Sequence, residues 1–98
     1  MEIKLQDIAQ NVNMQVKANW TNDIRTKNGK NTIVLFVVGN YFEAYNESAE
    51  ALHDICKIPL FFMGSISSTD FKKESADWIF HKMIRKGYKF CIFENGQY

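Results

Sequence analysis

The sequence predicts a single compact domain of the α/β class, bordering on α+β, in which about three helices pack on a mixed β-sheet. The apolar run Thr32–Val38 lacks polar alternation and is typical of a central strand covered on both faces, and Tyr88–Phe93 is predicted as a second central strand of the same sheet. Helical patterns separate them, and strands joined through helices favour right-handed crossovers. A length of 98 residues suits one domain. We therefore expect one unit over 1–98, with a helical segment over 1–30 and the sheet and remaining helices over 31–98.

The N-terminal segment has apolar residues at spacings of three and four, which predicts a helix with one apolar stripe. Lys27-Asn28-Gly29-Lys30 ends it, because glycine adopts the positive φ that terminates helices. The strand Thr32–Val38 follows and stops at the turn Gly39-Asn40. The stripe of the helix consists of Leu5, Ile8, Val12, Val16, Trp20 and Ile24.

The middle of the chain contains a short aromatic segment, Tyr41–Tyr45, that is either a second strand or a surface loop. Asn46 is a good N-cap for the helix that follows. Pro59 ends this helix and starts a strand over Leu60–Met63. The inner face of the helix is formed by Ala49, Leu52, Ile55 and Cys56.

The last third contains a serine-rich connection over Gly64–Asp70 and then a helix over about 71–86. We expect this helix to cross the sheet and to bury Phe80 and Met83 against it. Gly87 ends the helix before the final strand.

Composition excludes several classes of protein. Hydrophobic residues at 46% and charged residues at 23% are typical of a globular chain. A net charge of +1 excludes polyanion binding by net charge alone. The charged N-terminus lacks the apolar run of a signal peptide, and no apolar stretch is long enough to span a membrane. We therefore expect a cytoplasmic protein without membrane contact.

The sequence also carries no catalytic or metal-binding motif. It has neither a Walker A pattern nor Gly-x-Gly-x-x-Gly. His53 and His81 stand alone in helices, and Cys56 and Cys91 form no Cys-x-x-Cys pair. We predict a chain that is not an enzyme, with no catalytic residue, no cofactor and no metal.

The aromatic segment is unusual because it places three aromatic side chains beside a carboxylate, Glu43, directly after a strand. A purely structural role remains open, in which Tyr41 or Phe42 covers the sheet edge and Tyr45 packs under the next helix. Adjacent side chains of an extended segment face opposite sides. We therefore expect Tyr41 to be exposed and Phe42 to be at least half buried.

Two stretches resemble the N-terminal mismatch-recognition domain, domain I, of the MutS DNA mismatch repair proteins. VLFVVGNYFEAYNESAEALHDICKI, over Val34–Ile58, is similar to the family's strand, its Gly-Asp-Phe-Tyr-Glu-Leu-Phe motif and its acidic helix. WIFHKMIRKGYKFCIFEN, over Trp78–Asn95, is similar to the domain's last helix and strand. The resemblance implies the same fold and a DNA-contacting role. In the family, the first Phe of the motif inserts beside a mismatched base from the minor groove, and the Glu two residues later hydrogen-bonds that base.

The motif carries over unevenly. Gly39 and Glu43 match the family's Gly and Glu, Asn40 stands for its Asp, and Tyr41 takes the place of the inserting Phe. A tyrosine ring can stack on bases, but a buried hydroxyl without a partner costs about 1–3 kcal/mol. The resemblance thus implies Tyr41 and Glu43 as the DNA-binding residues. The family's Gly-Ile-Pro-Tyr-His before the last helix is replaced by 70–74, Asp-Phe-Lys-Lys-Glu.

Charge around the motif limits the expected DNA affinity. Residues 39–64 carry one Lys against four acidic residues. We therefore expect a module that binds mismatched or distorted duplex weakly on its own. The alternative is a protein-interaction module whose contact patch, for a partner or a second copy, comprises Tyr41, Phe42 and Tyr45. Basic residues beside Tyr41 favour DNA and an apolar patch there favours protein; the basic residues in question are Lys72, Lys73, Lys82, Arg85, Lys86 and Lys89.

Overall fold

The chain is built around a five-stranded mixed sheet with helices on both of its faces. The computed structural model describes residues 2–94, with side chains from Met14 to Glu94. A 3-10 turn over Lys73–Ser75 precedes the last helix. The elements in chain order are α1 (Glu2–Asn28), β1 (Thr32–Val38), β2 (Tyr41–Tyr45), α2 (Asn46–Cys56), β3 (Phe61–Met63), β4 (Ile66–Lys72), α3 (Ala76–Arg85) and β5 (Lys89–Glu94).

The strands lie in the order β3-β4-β2-β1-β5. β1 pairs with β5 in parallel, and the other pairs are antiparallel. The α/β class, the mixed sheet and the three helices are thus confirmed. β1 has a neighbour on each side, as predicted, whereas the prediction that Tyr88–Phe93 is a central strand is wrong. This segment lies at an edge of the sheet, and it is largely apolar because Phe90 packs on one face and Phe93 on the other.

One face of the sheet is covered by α2 and α3. Phe80 of α3 contacts Phe42 at 5.6 Å and Phe90 at 4.4 Å between ring centroids. The packing of α3 through Phe80 and Met83 is thus as predicted. These aromatic contacts join a core whose fully buried members are Ile33, Leu35, Ala44, Ala49, Leu52, Ile79 and Met83.

The opposite face is covered by α1, whose orientation differs from the prediction. Trp20 is 42% exposed, whereas Lys17, Ala18 and Thr21 are buried. The helix tolerates this because Thr21 donates its hydroxyl to the carbonyl of Lys17 at 2.8 Å and Lys17 has an acidic partner on the sheet. Of the predicted apolar stripe, Val16 and Ile24 are half buried. The stripe also includes Leu5, Ile8 and Val12, whose side chains lie outside the described residues.

The predicted connection Gly64–Asp70 is mostly a strand. β3 and β4 form a hairpin in which Met63 pairs with Ile66 across two residues. Gly64 has φ +61°, as the first position of a type II′ turn requires. Because β4 runs on to Lys72, α3 begins at Ala76 instead of near residue 71.

The prediction that Asn46 caps α2 is also wrong. Asn46 is the first residue of the helix, has φ +53° and makes no capping hydrogen bond. β2 enters α2 without a connecting residue, so the left-handed conformation of Asn46 makes the corner, which asparagine tolerates better than most residues. Its side-chain amide instead donates to Asn22 Oδ1 at 3.4 Å.

Candidate functional site

The aromatic segment is a strand, β2, and its side chains alternate between the two faces of the sheet. Tyr41 is 41% exposed and Phe42 is 9% exposed, so the predicted division between these neighbours is confirmed. Phe42 enters the core under α3, whereas Glu43 and Tyr45 lie on the α1 side. By the same alternation, Tyr41 shares a face with Glu43.

A tight hairpin places Tyr41 at the start of β2. Val38 pairs with Tyr41 across Gly39-Asn40, and Gly39 has φ +59°. A Cβ at Gly39 would meet nothing within 4 Å, so the turn needs glycine for its backbone conformation and not for space. The carbonyl of Asn40 accepts the backbone N–H of Lys73 at 2.9 Å, which ties the hairpin to the end of β4.

Two lysines at the end of β4 lie beside Tyr41. Lys72 is its register partner on β4, and Lys73 follows. Together with Asn40 and Glu74 they line a cavity of about 410 Å³ beside the Tyr41 ring. Of the basic residues singled out from the sequence, these two are at the site. Lys89 begins β5, and Lys82, Arg85 and Lys86 line a groove with Trp78 and His81 on the outer side of α3.

Glu43 is held by two donors at the same oxygen. Lys17 Nζ lies 3.1 Å from Glu43 Oε1, and the Tyr45 hydroxyl donates to that oxygen at 2.8 Å. The Lys17 side chain is 7% exposed and the Glu43 side chain 27%. Lys17 also lies over the ring of Phe36, 5.7 Å from its centroid. The carboxylate therefore sits at the margin of the α1 contact, partly open to solvent.

The electrostatics of this face follow from burial and from the charge of Glu43. Burial, reinforced by the Glu43 charge and hydrogen bond, raises the pKa of Tyr45 well above its ordinary value, so its hydroxyl remains a donor. Asp70 is the register partner of Glu43 on β4. Desolvation and then the negative charge of Glu43 raise the pKa of Asp70.

The contact patch of the protein-interaction alternative is not formed as predicted. Phe42 and Tyr45 are buried, which leaves Tyr41 as the exposed member. The exposed large apolar side chains of β3 are Phe61, Phe62 and Met63, at the far edge of the sheet.

Lys17 was not predicted from the sequence as part of the site. Its ion pair with Glu43 joins α1 to β2, two elements that no local sequence spacing connects.

The metal-ligating side chains in the described part of the chain do not gather into a site. Among the side chains from Met14 to Glu94, no group of three His, Cys, Asp or Glu is arranged to hold a metal ion. His53 Nδ1 contacts the carbonyl of Ile58 at 2.7 Å. Burial raises the pKa of the Cys56 thiol, which disfavours the reactive thiolate. No helix in the described part of the chain has the length and apolarity to cross a membrane.

The fold and the site define a small α/β domain with an aromatic side chain and a carboxylate on one strand, flanked by lysines. The family model for MutS domain I matches residues 22–97. The chain therefore belongs to the MutS domain I family, whose domain is a non-catalytic DNA-binding domain of mismatch recognition. No curated protein matches the chain. The match includes the hairpin with Tyr41 and Glu43 but begins within α1, after Lys17 and Thr21.

Proposed function

We propose that this chain is a DNA-recognition module of the cytoplasm, acting in a DNA repair context. It binds mismatched or otherwise distorted duplex, weakly on its own, and catalyses no reaction. The observation that carries this proposal is the Tyr41 ring, exposed on a tight hairpin beside Lys72 and Lys73. Its neighbour Phe42 is anchored in the core, so the strand that presents the ring is held in place.

The chemistry of such a ring suits a mispair. Inserting a side chain into a base step costs a few kcal/mol of unstacking, and this cost is lowest where pairing is already weak. Stacking of a base on an aromatic ring contributes about 1–3 kcal/mol. Insertion of the Tyr41 ring is therefore most favourable in free energy at a mismatch.

Glu43 is assigned a second contact, with a base edge. Phosphates repel a carboxylate, so its place in a DNA interface requires an N–H donor on a base. It lies two residues after Tyr41 on the same face of the strand. Tyr41 and Glu43 can thus contact the same distorted base pair from the same face of the strand.

The charges beside Tyr41 predict the affinity. Lys72 and Lys73 can each contact one phosphate, and we expect about two to four phosphate contacts in all. The counterions released by so few contacts contribute little to binding. The Kd for matched duplex should then be no tighter than about 10⁻⁴–10⁻⁵ M at physiological salt. A mismatch should improve binding by about 1–3 kcal/mol.

Fluorescence anisotropy with matched and mismatched duplexes tests the proposal. Tyr41→Ala should remove the preference for mismatched DNA without changing the salt dependence, because stacking releases no counterions. Tyr41→Phe should preserve or strengthen the preference. Lys72→Gln with Lys73→Gln should weaken both duplexes alike and lower the salt slope by about 2, with Lys27→Gln on α1 as the control. Equal binding of both duplexes, unchanged by Tyr41→Ala, would contradict the proposal.

The second candidate is a protein-interaction module, favoured by the three exposed apolar side chains of the edge strand β3. An edge strand offers unpaired backbone N–H and C=O groups to a further strand. We therefore take a second copy of this chain as the partner of the protein-interaction module. Sedimentation equilibrium of the wild type and of Phe62→Ser distinguishes the two functions. Self-association that Phe62→Ser abolishes, together with equal binding of matched and mismatched DNA, would favour this second candidate.

A further inference from the structure

The two oxygens of the Glu43 carboxylate have different surroundings. Oε1 receives both the Lys17 ammonium and the Tyr45 hydroxyl, at 3.1 and 2.8 Å. No side-chain donor among the described residues is bonded to Oε2. The carboxylate is thus fixed through one atom and keeps acceptor capacity at the other.

Both donors are themselves held firmly. Tyr45 is buried, and its ring packs edge-on against Phe36 at 5.9 Å. Lys17 is buried on the sheet-facing side of α1 together with Ala18 and Thr21, and its ammonium lies over the ring of Phe36 on β1. A side chain anchored in this way is preorganised, because little of its rotational freedom remains to be lost on binding.

We propose that Lys17 and Tyr45 are positioning residues that hold Glu43 by Oε1 and reserve Oε2 for a base that offers an N–H donor. This inference rests on the proposed function. It assigns a role to a residue that precedes the family match, since Lys17 lies on α1 before residue 22.

The proposal has a consequence for which base is read. A carboxylate paired with an ammonium accepts hydrogen bonds and donates none. In the minor groove, adenine, thymine and cytosine present acceptors, whereas guanine adds the donor of its 2-amino group. Glu43 held in this way should therefore favour mispairs that contain guanine.

The sharpest probe removes only that amino group. Hypoxanthine in place of guanine gives an I·T mispair with the same base-pairing edge as G·T and no 2-amino donor. We expect wild type to bind the G·T duplex about tenfold more tightly than the I·T duplex, the scale of one hydrogen bond to a charged group. Lys17→Met should reduce this ratio to near one, Lys17→Arg should restore most of it, and Tyr45→Phe should lower it about twofold to threefold, as expected for one of two anchors.

The controls separate positioning from folding and from net charge. Lys27→Met removes the same charge from an exposed position of α1 and should leave the ratio unchanged. Tyr45→Phe keeps the buried ring, so it serves if Lys17→Met does not fold. A variant that has lost its fold would also bind the two duplexes alike, so each ratio is measured on a variant whose urea melt shows that it is folded under the binding conditions.

Each outcome decides the matter. A wild-type preference for mismatched over matched DNA with equal binding of G·T and I·T would overturn the contact of Glu43 Oε2 with a guanine amino group and leave the proposed function standing. A ratio that survives Lys17→Met would overturn the role of Lys17. Absence of any mismatch preference in the wild type would overturn both proposals.

Discussion

The two faces of the sheet are packed with different chemistry. Under α2 and α3, buried aliphatic side chains meet a cluster of phenylalanines around Phe80. Under α1, Phe36 and Val34 share the interface with the buried side chains of Lys17 and Thr21 and with Glu43. The first face gains free energy from removing apolar area from water, whereas the second must satisfy each polar group it covers.

The difference indicates how the domain divides its tasks. Because one face supplies a largely apolar core, in which the hydroxyls of Ser67 and Thr69 are hydrogen-bonded, the other can accept a lysine, a glutamate and an exposed tyrosine without loss of the fold. Adjacent positions of β2 belong to different faces, so substitutions one residue apart should have very different effects. The following predictions test this division, from the largest expected effect to the smallest.

Phe42→Ala should lower the free energy of unfolding by about 3–5 kcal/mol, the cost of emptying a buried aromatic site. The matched control is its neighbour: Tyr41→Ala removes a half-exposed ring and should cost less than about 1 kcal/mol. Urea melts of both variants measure the two values. Similar losses at the two positions would mean that the faces do not differ as described.

Phe80→Ala should cost about 3 kcal/mol, near the lower end of the range for buried aromatic residues because its side chain is only partly covered. The loss removes contacts with Phe42, Phe71 and Phe90 at once. Thermal and urea melts provide the measurement. A loss below about 1 kcal/mol would show that this face of α3 does not belong to the core.

Lys17→Met should cost about 1 kcal/mol of stability, because Glu43 keeps the Tyr45 hydroxyl and partial access to water after the ion pair is lost. The methionine retains the apolar stem that covers Phe36. Comparison with Lys27→Met in urea melts isolates the pairing. A cost of several kcal/mol would indicate that the α1 face contributes to stability as strongly as the opposite face.

Asp70→Asn should stabilise the protein at neutral pH by less than about 1 kcal/mol, the scale of exposed charge pairs. Desolvation and Glu43 raise the pKa of Asp70 in the folded state. Its ionisation therefore destabilises the fold as pH rises through that raised pKa, and the penalty disappears at pH values below the ordinary pKa of aspartate. Urea melts of the wild type and the variant from pH 3 to 7, a window of about four units around the ordinary pKa, should show the gain only at the upper end.

Local patterns predicted the parts of the fold that are settled by neighbouring residues. The apolar run of β1, the inner face of α2 and the division between Tyr41 and Phe42 follow from periodicity. The strand β4 was missed, because its inward-facing positions include a serine and a threonine, Ser67 and Thr69, which are buried only through pairing with β2 and β3.

The candidate site could be predicted only in part, for a related reason. The resemblance of the motif identified Tyr41 and Glu43, and both lie within the family match. The flanking Lys72 reaches Tyr41 through the register of two strands, and Lys17 reaches Glu43 through the docking of α1. These are tertiary contacts, and hydrophobic periodicity placed Trp20 inward where the polar Lys17 and Thr21 are buried instead.

The pairing of β1 has a consequence for the order of folding. Its antiparallel neighbour β2 follows after a two-residue turn, whereas its parallel neighbour pairs Thr32 with Lys89 across more than half of the chain. Each doubling of a closed loop adds about 0.6 kcal/mol of entropic cost, and non-local pairing slows folding. The hairpin that carries Tyr41 and Glu43 is therefore expected to assemble first, with β5 docking late. In refolding experiments, a probe on β5 should consequently recover its native signal more slowly than a probe on β2.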